Sequence, residues 1–279
     1  MSSSAEVAIA VKRNPWESLQ DALSRLSSPL HLDGKLRQIL VKPSLYDPIL
    51  PGNTSLEMTL AVARVFRHAA SISVVESDNP KRTAEEAFRQ LDYTKLEAEG
   101  FRLINLSQLD TVPAKFAGHA FFERPIPDIL ASNPFIVNVS TAKRDDSIGL
   151  GASIKNLFGL LPEGDKARFH DNLTNVLLDL LLAFRPALTV VDLTRVVVGS
   201  RTERHDVPVG GVIVGTDPVA VDAFCASLFG LVPMDIPYIR RAFEEGIGQA
   251  MLDKISVRGT ENQKRRLFEA FSEHVRIHK

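Results

Sequence analysis

A chain of 279 residues with 44% hydrophobic content is long enough to bury a substantial core. Its 33 basic and 34 acidic side chains nearly cancel and only 7% of residues are aromatic, so neither nucleic acid nor an anionic membrane surface is an expected partner. The single cysteine, Cys225, excludes an internal disulfide, a zinc ribbon and a cysteine-held iron–sulfur cluster.

Strand and helix patterns alternate along the chain. Residues 7–11 read as a short strand. Asn14 and Pro15 offer a cap and a first-turn proline for a helix through residue 26. Residues 36–41 read as a strand ending at Lys42-Pro43-Ser44, where Pro43 forbids helix for Lys42 and stops the ladder. A loop with Pro48, Pro51, Gly52 and Asn53 follows, and Thr54-Ser55-Leu56-Glu57 has the form of a capping box opening a helix to about residue 69. Residues 72–75 are a β-branched strand running into Glu76-Ser77-Asp78-Asn79-Pro80. Residues 83–91 and 94–99 read as helical with Gly100 as a stop, and 101–106 as a strand. The region 110–127 is less regular, with 115–122 expected as an added hairpin or edge strand. Residues 135–139 form a strand that runs into Ser140-Thr141-Ala142-Lys143.

Gly149 and Gly151 then open a short helical run carrying Lys155, Asn156 and Gly159. Pro162 and Gly164 break it, and Lys166, Arg168 and His170 follow. Residues 172–184 read as an apolar helix, 188–193 as a strand ending near Asp192, 200–208 as a loop and 209–214 as a strand. Asp217-Pro218 opens a helix that Gly230 closes; residues 237–245 and 261–274 are helical, with a strand at 255–257 between them. Cys225 lies in an apolar helical run, where a buried, inert thiol is expected. Lys264-Arg265-Arg266 is a solvated face of the last helix. The N-terminus has no signal-peptide core, and the longest apolar tract, residues 176–184, is too short to span a membrane, so a soluble, cytoplasmic protein is expected.

Strands alternating with helices of this length imply parallel pairing through helical crossovers. The expected fold is therefore doubly wound α/β, a mostly parallel sheet with helices on both faces. It is read as a single domain over residues 1–279, with a lobe division near residue 140 as the alternative. Ligands of such sheets sit beyond the carboxyl ends of the strands. That rule gathers Lys42 and Ser44, Glu76 and Asp78, Lys143 and Asp192 toward one crevice, beside the loop at Gly151.

A helix start rich in small residues exposes backbone N–H groups and the positive dipole end, which favour an anion. Lys155 lies among Ile154, Leu157, Phe158 and Leu161; desolvated there, it would serve as an anion ligand, a base or a Schiff-base amine, and otherwise it reaches solvent as a surface lysine. Asp222 is the one charge in its apolar helix and calls for a cation, with Lys155 the expected partner; a purely structural ion pair is the alternative. Lys42, Ser44, Lys143, Gly151, Ser153, Asn156 and Lys166 are the expected anion-holding set, flanked by His170. Asp217 is accounted for as an N-cap. Glu76, Asp78 and Asp192 are oxygen donors suited to Mg²⁺, although no spacing enforces it. Neither the dinucleotide glycine fingerprint nor the Walker spacing is met, and no Gly-x-Ser-x-Gly or His-Glu-x-x-His motif is present.

Several segments together resemble the domain of unknown function 362 family. They are Val41-Lys42-Pro43-Ser44, Thr54-Ser55, Ile136-Val137-Asn138 through Lys143, and Gly151-Ala-Ser-Ile-Lys-Asn-Leu-Phe-Gly-Leu-Leu-Pro with Lys166 and His170. Gly215 through Ala223 and Asp235-Ile236-Pro237-Tyr238 complete the set, so that the resemblance runs from about Ile39 to Gly248. Members often read Lys-Thr-His where this chain has Lys143-Arg144-Asp145. Many also carry a ferredoxin-like iron–sulfur segment, which the single cysteine rules out within this chain. The resemblance thus implies an association with redox proteins rather than a named reaction. Two functions are carried forward. The first is binding of a small anionic metabolite, a carboxylate or phosphate, with Lys155 and Asp222 as catalytic residues if the protein is an enzyme. The second is a non-catalytic binding or electron-transfer accessory module for an iron–sulfur redox partner.

Overall fold

A computed structural model of the chain describes residues 5–27, 38–68, 71–145, 148–199 and 204–274. Residues 36–37 and 69 of the expected elements, and 200–203 of the expected loop, lie outside them. The strands are β1 (Ala5–Ala10), β2 (Gln38–Pro43), β3 (Ser71–Glu76), β4 (Arg102–Asn105), β5 (Thr111–Lys115), β6 (Glu123–Pro127), β7 (Phe135–Asp145), β8 (Gly149–Gly151), β9 (Leu188–Gly199), β10 (Arg204–Pro208), β11 (Val212–Gly215) and β12 (Ile255–Arg258). The α-helices are α1 (Pro15–Leu23), α2 (Leu56–Phe66), α3 (Ala84–Gln90), α4 (Lys95–Ala98), α5 (Asp128–Ala131), α6 (Ser153–Asn156), α7 (Leu173–Ala183), α8 (Pro218–Leu228), α9 (Pro237–Glu244) and α10 (Glu261–His274).

Among the described residues, ten strands form one sheet whose main path runs β12-β1-β11-β9-β7-β2-β3-β4. Along that path only β11 runs against the rest, pairing antiparallel with both β1 and β9. The mostly parallel α/β reading of the sequence therefore holds. Alternating strand residues point to opposite faces and feed two apolar layers. Ile39, Val41, Val74, Val137, Val139 and Val190 pack against α1, α2 and α3. Leu40, Val75, Ile136, Val191 and Ile213 pack against α7, α8, α9 and the buried side of α10. Residue 140, where the alternative lobe division falls, lies inside β7, which pairs with β2 on one side and β9 on the other. No helix among the described residues is long and apolar enough to cross a membrane.

Four local readings are corrected. The capping box at Thr54–Glu57 does not form: Thr54 Oγ1 donates to Val139 O at 2.9 Å, and Ser55 is the cap of α2, accepting from Met58 N. A complete box stands instead at Thr83–Glu86 on α3. The hairpin of the irregular region is β5–β6, and residues 116–122 form its connecting loop. Asp179 of α7, fully buried, accepts the backbone N–H groups of His119, Ala120 and Phe121 and clamps that loop to the body. Finally, β7 and β9 run past the point where the sequence stops looking like buried strand. Residues 140–145 are strand because Ser140, Thr141 and Lys143 pair with β9 and β8 closes antiparallel onto Lys143–Asp145, while β10, expected as loop, closes onto the end of β9. These overrunning ends form a wall above the carboxyl edge of β2 and β3.

Candidate functional site

Lys42, at the end of β2, is 1% exposed. Its Nζ donates to Glu76 Oε2 at 2.9 Å and to Pro43 O at 2.7 Å, and lies 3.5 Å from Asn156 Oδ1. Burial pushes the Lys42 ammonium below its ordinary range, and the Glu76 carboxylate opposes that fall. Glu76 closes β3 and also accepts from Leu45 N at 3.1 Å and Ser77 N at 2.9 Å. The Arg82 guanidinium lies 3.8 Å from it and donates to Leu45 O, Tyr46 O and Ser77 O, which ties the β2 and β3 loops together. Gly159 packs directly on this pair: a Cβ there would fall 2.7 Å from Lys42 Nζ and 2.9 Å from Glu76 Oε1.

Above the pair opens a cavity of about 300 Å³. Lys42, Ser44, Lys143, Gly151, Lys155, Asn156, Lys166 and His170, all expected from the sequence, line it together with Glu76 and Asp78. Tyr46, Asn79, Arg82 and Arg204 line it too and were not anticipated. The turn after β3 carries Asn79 and Arg82, and the Asp-Asn-Pro sequence was a legible signal for that turn. Arg204 lies on β10, in a segment read as loop.

Lys143 stands on the overrun of β7, with Nζ 3.0 Å from Ser44 Oγ and 3.4 Å from Thr141 O. Lys143 is partly buried, and desolvation together with the charges of Arg204, Lys42 and Lys155 pushes its ammonium down to about 7, with Glu76 acting the other way. Lys166 donates to Ser77 Oγ at 3.0 Å and Asp78 O at 2.6 Å. Desolvation lowers it to about 8, with Lys42 and Arg82 adding to the fall and Glu76 opposing it. Lys155 Nζ sits 4.0 Å from the centre of the Phe158 ring, and the His170 ring packs against the same phenyl group at 5.2 Å. Lys155 is thus partly covered, and its aromatic neighbour is one the sequence identified.

Three expected site residues lie outside the cavity wall. Asp222 is fully buried and does not meet Lys155; its two oxygens accept from Ser153 N at 2.8 Å and Ile154 N at 3.0 Å. The N–H donors of the helix start that favours an anion are therefore already taken by a carboxyl group supplied by α8, and α6 is a single turn. Desolvation raises Asp222 to about 7 against the pull of those two N–H donors. Ser153 is buried beneath the wall, where its carbonyl and hydroxyl accept from Asn138 Nδ2 at 2.8 and 3.1 Å. Asn138 Oδ1 in turn accepts from Asn156 Nδ2 at 2.7 Å, and Asn156 Nδ2 also donates to Lys42 O, so the chain Ser153–Asn138–Asn156 fixes α6 against β2 and β7. Asp192 binds Ser55, with Oγ at 2.6 Å, and supports the start of α2 rather than the cavity. Asp78 accepts from Ala84 N and Asn105 Nδ2, both at 2.8 Å. Glu76, Asp78 and Asp192 consequently do not converge as Mg²⁺ ligands, and among the described residues no three His, Cys, Asp or Glu side chains group with metal-holding spacing. Cys225 is buried, and its thiol is pushed well above the ordinary range, as its apolar surroundings implied.

The wall is built from scattered segments of β2, β3, β7 and the β8–α6 run, and all of these lie within one matched family span. No curated protein matches the chain. A family model described as a domain of unknown function, number 362, matches residues 39–227. That span exceeds half of the sequence, and the chain belongs to the domain of unknown function 362 family.

Proposed function

We propose that the cavity binds a small anionic metabolite carrying a carboxylate or phosphate group. The observation that carries this reading is the charge of the wall: among the described residues, Lys42, Lys143, Lys155, Lys166, Arg82 and Arg204 face a space they share with two carboxylates, Glu76 and Asp78. Glu76 is occupied by Lys42 and backbone N–H groups, which leaves a positive excess at the mouth. Lys143 and Lys166 hold their protons less tightly than free lysine, in part because like charges crowd them. A bound anion relieves both effects, since it pairs with the cations in a partly desolvated setting where such bonds are strong. In this reading Lys143, Lys155 and Lys166 contact the ligand. Asp222 and Ser153 hold α6 in place beneath it.

Binding an anion raises the proton affinity of Lys143 and Lys166, so complex formation at pH 7.5 takes up protons and affinity falls as pH rises from about 6.5 to 8.5. Calorimetric titration with inorganic pyrophosphate at pH 7.5, in two buffers of different ionisation enthalpy, measures that uptake. Binding without proton uptake, or affinity that rises with pH, would count against the lysines as the ligand-holding groups.

A further inference from the structure

Two of the cavity-lining side chains meet in a way that anion binding does not require. Lys143 Nζ lies 3.0 Å from Ser44 Oγ, within reach for proton transfer between the two groups. The backbone of Ser44 is fixed just after β2: its N–H donates to Thr54 Oγ1 and its carbonyl accepts Thr54 N–H, each at 2.9 Å. The stem of Lys143 is fixed as well. It packs on Gly52, where a Cβ would fall 2.7 Å from Lys143 Cε and 2.9 Å from Val197 Cγ2, and where φ is +100°. A hydroxyl and an amine, each held by backbone at the carboxyl edge of a parallel sheet, thus face one cavity.

We propose that Ser44 and Lys143 form a serine–lysine nucleophile pair for acyl transfer, acting on an ester, thioester or amide of a small acid whose anionic group the other cations hold. The proposal rests on the anion-binding reading of the cavity. In its first step the neutral Lys143 amine takes the Ser44 hydroxyl proton while Oγ bonds to the acyl carbon. Collapse of the tetrahedral adduct breaks the bond to the leaving group, which receives that proton from Lys143. Water then attacks the acyl-serine, giving its proton to Lys143; the acid departs, Ser44 Oγ regains the proton, and the enzyme is restored. The charges around the amine are Arg204 on β10, Lys42 on β2, Lys155 on α6 and Glu76 on β3, and together with desolvation they leave about half of Lys143 neutral near pH 7.

The test treats the full chain with a small fluorophosphonate at several pH values and maps the adduct by mass spectrometry, with inorganic phosphate binding measured in parallel. Attack on the reagent forms an Oγ–P bond and releases fluoride. A single adduct on Ser44 is expected, forming about tenfold faster at pH 8 than at pH 6. Ser44→Ala should abolish the adduct and leave the urea-unfolding midpoint close to that of the wild type. Lys143→Arg, which keeps the charge but cannot act as a base, should slow labelling by about a hundredfold or more while the urea-unfolding midpoint stays close to that of the wild type. No adduct, an adduct elsewhere, a flat pH profile in the wild type, or undiminished labelling of Lys143→Arg overturns the pair. Absence of phosphate binding in the wild type instead removes the anion-binding reading on which it rests.

Discussion

Lys42 and Glu76 carry opposite charges at the cavity floor on side chains only 1% and 4% exposed, and each depends on the other. Removing one partner of such a pair leaves an uncompensated buried charge, whereas replacing both with apolar groups of similar size is far milder. Glu76→Gln should therefore cost about 3–5 kcal/mol of stability in urea unfolding, and Lys42→Met combined with Glu76→Leu should recover most of it. Equal losses in the single and double variants would show that the pair is not coupled as its 2.9 Å contact implies. Asp222 makes a second residue-scale case. Asp222→Ala strands the N–H groups of Ser153 and Ile154, at a cost of about 1–3 kcal/mol for each. The pH dependence has a definite sign. Folded Asp222 keeps its proton up to about 7, while the unfolded carboxyl releases it near 3.8, so the folded form binds more protons between those values. Its contribution therefore weakens as pH rises from about 4 to 7, and Asp222→Asn should remove that slope from the stability profile.

At the scale of elements, the sequence was legible wherever hydrophobic periodicity and capping chemistry agreed. The strands at β2, β3 and β7, the helix opened by Asp217-Pro218 and the glycine stop after α4 all stand where pattern and turn residues placed them. What could not be read had a tertiary cause. The polar end of β7 is held as strand between β9 and the three-residue β8, a partner too short to leave a periodic trace, and the end of β9 is extended by β10 folding back on it. Thr54 looked like a helix cap but spends its hydroxyl on Val139, a residue 85 positions away. The start of α6 had the right chemistry for an anion, and its occupant, Asp222, comes from a distant helix. Gly159 shows how tightly such elements fit. Gly159→Ala should displace the Lys42–Glu76 pair and cost about 1–3 kcal/mol, with phosphate affinity falling alongside it. Unchanged stability in denaturant would mean that the pair tolerates a methyl group in its contact surface.

Over the whole molecule, charge is close to balanced, yet the cavity concentrates basic groups on one edge of the sheet. The parallel strands explain this concentration: β2, β3 and β7 all run toward the same edge, and their C-terminal parts supply Lys42, Glu76 and Lys143. Because the field is local and partly shielded from solvent, anion affinity should fall with added salt far less steeply than binding to a basic surface does. The most direct measurement is a crystal structure of the full chain soaked with tungstate or phosphate at pH 6.5. The anion should occupy the cavity with its oxygens within hydrogen-bond reach of Lys143, Lys155 and Lys166. Density for the anion only on the outer surface, with the cavity holding water alone, would contradict the assignment of this edge of the sheet as the binding site.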